Sequence, residues 1–202
     1  MDSYLKHYIN GKWVDSIGGK RHEVISPSTE EPCTEITLGT QADVDAAVSA
    51  ARQAFKTFSQ TSREERIALM NRIIEEYKKR IPDFAKSMAA EMGAPVSFAT
   101  MAQAPAGLGG FLGTLPALEN FAFKEQHGAN TVVYEPIGVV GLITPWNWPL
   151  NQIALKVAPC IAAGNTMVLK PSEECPGNAA IFAEVMDAAG VPPGVFNLVQ
   201  GD

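Results

Sequence analysis

From Ile137 to Leu169 the chain carries one charged residue, Lys156, and then Lys170, Glu173 and Glu174 arrive within five positions. So long an apolar run must be buried, and its end in a charged cluster reads as a sheet whose strand ends carry a site. Its internal pattern is strand, helix, strand, helix, strand. Residues 137–143 form an apolar strand, and Pro149 opens a helix carrying Leu150, Ile153, Val157 and Ile161. Pro159 is expected to break or kink that helix, and Gly164-Asn165 to end it. Residues 166–170 make the second strand, a helix runs from Pro176 to Ala189 and closes at Gly190, and residues 195–199 make the third strand. This βαβαβ order predicts an α/β fold, a parallel sheet with helices on its faces. Ligands of such sheets sit beyond the carboxyl ends of the strands, here Thr144-Pro145-Trp146-Asn147 and Lys170-Pro171-Ser172-Glu173.

The residues before this stretch supply hairpins and helices. Asn10-Gly11 between His7-Tyr8-Ile9 and Lys12-Trp13-Val14 is a hairpin signal, with further turns at Gly18-Gly19 and Ser26-Pro27-Ser28. Thr40 with Asp43 opens a helix whose stripe is Val44, Val48, Ala51, Phe55 and Phe58. Ser62 with Glu65 opens a second, striped by Ile67, Met70, Ile74, Tyr77 and Ile81. Pro82 begins a third that buries Phe84, Met88 and Met92 and stops at Gly93. Residues 94–119 are expected to form a helix interrupted near Pro105 and Gly107. Gly107, Gly109 and Gly110 lack the spacing and the preceding strand of a phosphate loop, so they read as close helix packing. Residues 121–135 form a β-hairpin turning at His127-Gly128-Ala129-Asn130, placed to project and pair with another subunit.

Composition excludes several classes. A net charge of −6 gives no footprint for nucleic acid. Three cysteines, Cys33, Cys160 and Cys175, form neither a disulfide framework nor a C-x-x-C motif, which suits reduced thiols in a cytoplasm. No metal site is expected. Neither uncharged run reads as a membrane span: one holds Pro95, Pro105 and Pro116, the other Pro145, Asn147, Pro149, Asn151 and Gln152. Residues 1–10 have no apolar core, so no secretory signal is expected.

The two strand ends admit two chemistries each. Asn147 lies just before a helix N-terminus, where it either caps the helix or donates its amide to a developing oxyanion. Lys170 and Glu173 either form a surface ion pair or meet a ligand, the carboxylate accepting from a ribose diol and the ammonium reaching a hydroxyl or phosphate. Cys160 and Cys175 have no histidine near them in sequence and read as inert.

Three ordered motifs, EPIGVVGLITPWNWPL at 135–150, AAGNTMVLKPSE at 162–173 and PGVFNLVQG at 193–201, closely resemble the aldehyde dehydrogenase superfamily. The resemblance covers essentially all 202 residues, but only the N-terminal portion of such an enzyme. It implies a variant Rossmann-type sheet without G-x-G-x-x-G, divided into N-terminal hairpins and helices (1–119), an oligomerisation hairpin (120–136) and a βαβαβ cofactor-binding half (137–202). Asn147 would be the oxyanion-hole amide. Ile143, Thr144, Pro145 and Trp146 would line the cofactor, and Lys170, Ser172 and Glu173 would hold its adenosine ribose. Trp148, Asn151 and Leu155 would line the substrate tunnel. The implied reaction oxidises an aldehyde to an acid: a cysteine thiolate attacks, hydride passes to NAD, and the thioester is hydrolysed. Glu173 leans towards NAD, and Ser172 beside Lys170 leaves NADP open. The nucleophilic cysteine and the Glu-Leu-Gly-Gly general base are expected outside these residues, so the chain alone is expected to be inactive. A full-length enzyme of this kind is expected to be a cytoplasmic homodimer or homotetramer. A CoA-acylating relative, or a short interaction module that pairs with full-length subunits, are the alternatives.

Overall fold

A computed structural model describes residues 2–202. Its centre is a five-stranded sheet in the order β3-β2-β10-β9-β8. Strands β8 (Val139–Ile143), β9 (Thr166–Lys170) and β10 (Phe196–Leu198) run parallel, linked by helices α6 (Pro149–Ala162) and α7 (Pro176–Ala188). The N-terminal hairpin β2 (Lys6–Ile9) and β3 (Lys12–Asp15) adds antiparallel to β10. Asn10 and Gly11 both adopt positive φ, 53° and 72°, as a tight right-twisted hairpin turn requires. The sheet is therefore mixed, its parallel part being the βαβαβ unit. A second sheet orders β1 (Asp2–Tyr4), β5 (Pro32–Leu38) and β4 (Lys20–Ile25).

Helices cover both faces of the main sheet. On one, α1 (Gln41–Phe58) sets Ala47 against Ile9 and Val199. On the other, α6 and α7 pack under α2 (Arg63–Lys79), α3 (Ile81–Met92) and α5 (Ala104–Asn120), with Tyr77, Phe84, Phe111 and Phe182 fully buried. The capping boxes at Thr40–Asp43 and Ser62–Glu65 are present, and Gly93 ends α3 in the left-handed region. In α1 the buried stripe is Asp43, Ala47, Ala51 and Phe58, while Val44 is exposed. Asp43 turns inward because it gathers donors: Ser16 Oγ, Ile17 N, Thr40 N and Thr40 Oγ1 all reach its carboxylate.

Between Pro95 and Asn120 the helix is not broken at Pro105 or Gly107. A short turn α4 (Val96–Phe98) passes through a π-helical segment, Ala99–Gln103, directly into α5. Pro105 is the second residue of α5, directly after the π-helical segment. Pro159 likewise leaves α6 unbroken to Ala162. Strands β6 (Lys124–His127) and β7 (Asn130–Val133) form a separate two-stranded sheet with largely exposed side chains. The first parallel strand begins at Val139, not Ile137, and β8 is not a buried strand. Among the described residues it forms the sheet edge, and Ile143 is 72% exposed.

The Asp43 cluster sets an acid limit on the fold. Burial raises its pKa, but the four hydrogen bonds outweigh burial and hold it at about 2. Beside it, His7 is fully buried and its pKa is lowered by burial, against the attraction of Asp43 3.7 Å away. Because the folded pKa of Asp43 lies below its unfolded value, its contribution is whole above about pH 4. It is lost as the pH falls through about 2. The expected size is roughly 2–3 kcal/mol. Urea unfolding should show Asp43→Asn destabilised by about that amount at pH 7, with most of the difference gone at pH 2. An equal difference at both pH values would refute the linkage.

Candidate active site

Register brings the two strand ends together, because Ile143 of β8 is the partner of Lys170 of β9. The Thr144 N–H donates to the Lys170 carbonyl at 3.2 Å, extending the ladder by one bond. The loops 144–148 and 171–175 therefore leave the same edge side by side. A third chain end joins them. After β10, Gly201 accepts a hydrogen bond from Lys170 Nζ at 3.0 Å, and Gln200 donates its backbone N–H to the buried His7 Nδ1 at 3.2 Å. Neither contact was expected, since no local pattern links residues so far apart.

At the end of β9, Lys170 Nζ and Ser172 Oγ each lie 3.5 Å from Glu173 Oε2. The side chains of Lys170 and Glu173 are each 30% exposed, neither sealed nor free in solvent. The backbone N–H of Glu173 itself, then Lys170 and Ser172, hold its carboxyl below the usual range against desolvation. The loop then enters α7, whose start is anchored from α3. The Gly177 N–H donates to both oxygens of buried Glu91, at 3.2 and 3.1 Å. Burial pushes the Glu91 carboxyl up to about 7, against hydrogen bonds from Thr34, Gly177, Cys175 and Ser87.

At the other end the helix-cap reading of Asn147 does not hold. Trp148 is the N-cap residue of α6, and no side chain caps the helix. The Asn147 side chain is exposed and makes no hydrogen bond among the described residues, so its amide and the first N–H groups of α6 both remain available. Its carbonyl is held by Gln103 Nε2 at 3.4 Å. Trp148 is half-buried edge-on against Phe98, ring centroids 5.7 Å apart. Along α6, Asn151 is partly buried and Leu155 exposed, on the same side as Trp148 by helical spacing. Trp146 turns the other way, into a recess shared with Glu91, Met92 and Glu174. Thr144 is buried, and its Oγ1 has no hydrogen-bond partner among the described residues. Pro145 and Ile143 are exposed beside it.

Strand ends of a parallel sheet, an uncapped helix start bearing a free amide, and a Lys–Glu pair at the neighbouring end form the kind of crevice in which ligands of such sheets bind. The chain belongs to the aldehyde dehydrogenase family, whose model it matches over residues 13–202. It is 52% identical to a 3-succinoylsemialdehyde-pyridine dehydrogenase of a Pseudomonas species, aligned over 100% of this chain and 43% of that protein. An aldehyde dehydrogenase from Bartonella henselae superposes with a TM-score of 0.97 at 48% identity, covering 100% of this chain and 43% of that one. A mutant of aldehyde dehydrogenase C from Pseudomonas syringae, crystallised with NAD+ and octanal, gives 0.96 at 45% identity, with coverage of 98% and 41%. The chain thus spans about two-fifths of the relatives it matches, 43% in the first of them.

Proposed function

We propose that this chain is the cofactor-binding part of an NAD-dependent aldehyde dehydrogenase, with Asn147 as the oxyanion donor and Lys170, Ser172 and Glu173 as the ribose-holding group. The observation that carries the reading is the paired register of Ile143 and Lys170, which sets the two ends beside one another on one sheet edge. The residues present fit such a cofactor. A vicinal diol needs an acceptor able to take two hydrogen bonds and a donor beside it, and the Glu173 carboxylate with Lys170 supplies both. The unpaired, buried Thr144 Oγ1 lies one residue beyond the strand, where Ile143, Pro145 and Trp146 supply apolar surface. The bound nicotinamide supplies a hydride acceptor.

Everything else is done by protein groups. The Asn147 amide donates to the aldehyde oxygen as negative charge collects there, and the open N-terminus of α6 adds its dipole in the same direction. Trp148, Asn151 and Leu155 flank the approach of the aldehyde. Burial pushes Cys160 up to about 12 and Cys175 well above its ordinary value, leaving both thiols protonated; as the family resemblance implies, the attacking thiolate comes from outside these residues. The hairpin β6–β7, with Val133 and Tyr134 about half exposed, suits pairing with a second copy.

The test is NADH formation by the full-length protein with a panel of aldehydes; no NADH with any of them would sink the reading. Within it, Glu173→Gln should raise the KM for NAD roughly tenfold, the loss of a charged hydrogen-bond acceptor. The KM for NADP should rise less, because a carboxylate repels the extra phosphate. A larger rise for NADP than for NAD would remove Glu173 from the ribose.

A further inference from the structure

Gln103 is the last residue of the π-helical segment Ala99–Gln103. It is a neutral polar side chain only 5% exposed, packed where an apolar residue would be the ordinary choice. Its Nε2 donates to the carbonyl of Asn147 at 3.4 Å. Its Oε1 is buried and has no partner among the described residues. The Asn147 contact sets which way the amide lies: turned over, Oε1 would face a carbonyl oxygen and the bond would be lost.

From these contacts we infer that Gln103 is a positioning residue for the proposed oxyanion donor, holding the 146–148 turn so that the Asn147 side chain meets the reacting oxygen. The inference rests on the reading above. Two further features point the same way. The turn is gripped a second time from α4, just before the π-helical segment, through Phe98 edge-on to Trp148 at 5.7 Å. Gln103 ends that π turn, whose extra residue shifts the rotation of the residues after it relative to a regular α-helix. Asn147 itself sits outside α6, with no side-chain hydrogen bond to settle its direction. Its carbonyl is therefore the handle by which the turn is oriented.

The experiment is a double-mutant cycle in the full-length enzyme, with Gln103→Met, which keeps the length and removes both polar atoms, and Gln103→Glu, which keeps the shape and removes the donor. Each should lower kcat roughly ten- to a hundredfold, the effect of a small misplacement of a reacting group. The KM for NAD should stay within about twofold, since the ribose end is untouched. In an Asn147→Ala background the same substitutions should lower kcat by less than about twofold more, because the group they position is gone. A merely structural role would lower kcat by the same factor in both backgrounds, and that result overturns the inference, as does a kcat unchanged by Gln103→Met. If Asn147→Ala itself leaves kcat intact, the oxyanion reading has failed instead. A crystal structure of Gln103→Met gives a readout independent of turnover: a displaced Asn147 turn supports the assignment, and an unmoved one refutes it. Should Gln103→Met not fold, Gln103→Glu carries both measurements.

Discussion

Replacing Asn147 by alanine in the full-length enzyme lowers kcat by roughly a hundred- to a thousandfold, the usual loss when one oxyanion donor is removed. The expectation follows from what Asn147 does not do. It does not cap α6, and its amide is neither buried nor bonded among the described residues. The substitution should therefore leave stability nearly unchanged, because no packing contact and no helix cap goes with it. It should leave the KM for NAD unchanged as well, since Lys170 and Glu173 form a separate group. The expected signature is a fall in kcat and in kcat/KM together, as for an interaction made only in the transition state. Thermal melting and steady-state kinetics on the one variant check all three quantities. A kcat within a few-fold of wild type would remove Asn147 from the chemistry, and a collapse in melting temperature would show that its role is structural.

Adding a single methyl group at Gly110 should destabilise the fold by about 3 kcal/mol. A Cβ built there lies 2.8 Å from the carbonyl carbon of Ala154 and 2.9 Å from its Cβ. Both neighbours belong to the backbone or stem of α6, so no flexible side chain can swing aside and the helices must move apart. Gly107, one turn earlier, meets Tyr77 Oη at 2.2 Å in the same construction. Tyr77 is already committed to a hydrogen bond with the Ala104 carbonyl at 2.6 Å. The two glycines thus let α5 lie against α2 and α6 at once. For a chain of this size Gly110→Ala should lower the melting temperature by roughly 6–12 °C. It should also reach the site, because α5 continues directly from Gln103 and α6 starts just after Asn147. A melting temperature within about 2 °C of wild type would mean that the contact relaxes freely.

Much of this was legible in the residues. The Asn10-Gly11 turn, both capping boxes, the proline and glycine helix ends and the βαβαβ order depend on neighbours a few positions away. That order alone pointed to the two strand ends as the candidate site. Elsewhere local reading misled. Periodicity assigned Val44 and Val48 to the buried face of α1, but Asp43 found two donors on its own N-cap Thr40 and two more on Ser16 and Ile17, and the buried stripe follows it. Glycine and proline near 105 suggested a break, whereas the chain stays helical there, with a π turn that ends two residues before Pro105. The apolar run from Ile137 suggested a buried first strand, yet burial is a property of what lies alongside, and among the described residues β8 has a neighbour on one side only.

What the sequence determined by itself is therefore the set of elements, their order and the residue types at the strand ends, all governed by short-range sterics, caps and hydrophobic period. Tertiary structure alone decided which partners those residues meet. Lys170 finds the Gly201 carbonyl, Gln103 finds the Asn147 carbonyl, and His7 meets Gln200 across 193 positions. No local rule contains such contacts, because hydrogen-bonding capacity belongs to a residue, while the distance and direction that use it belong to the packing of the whole chain.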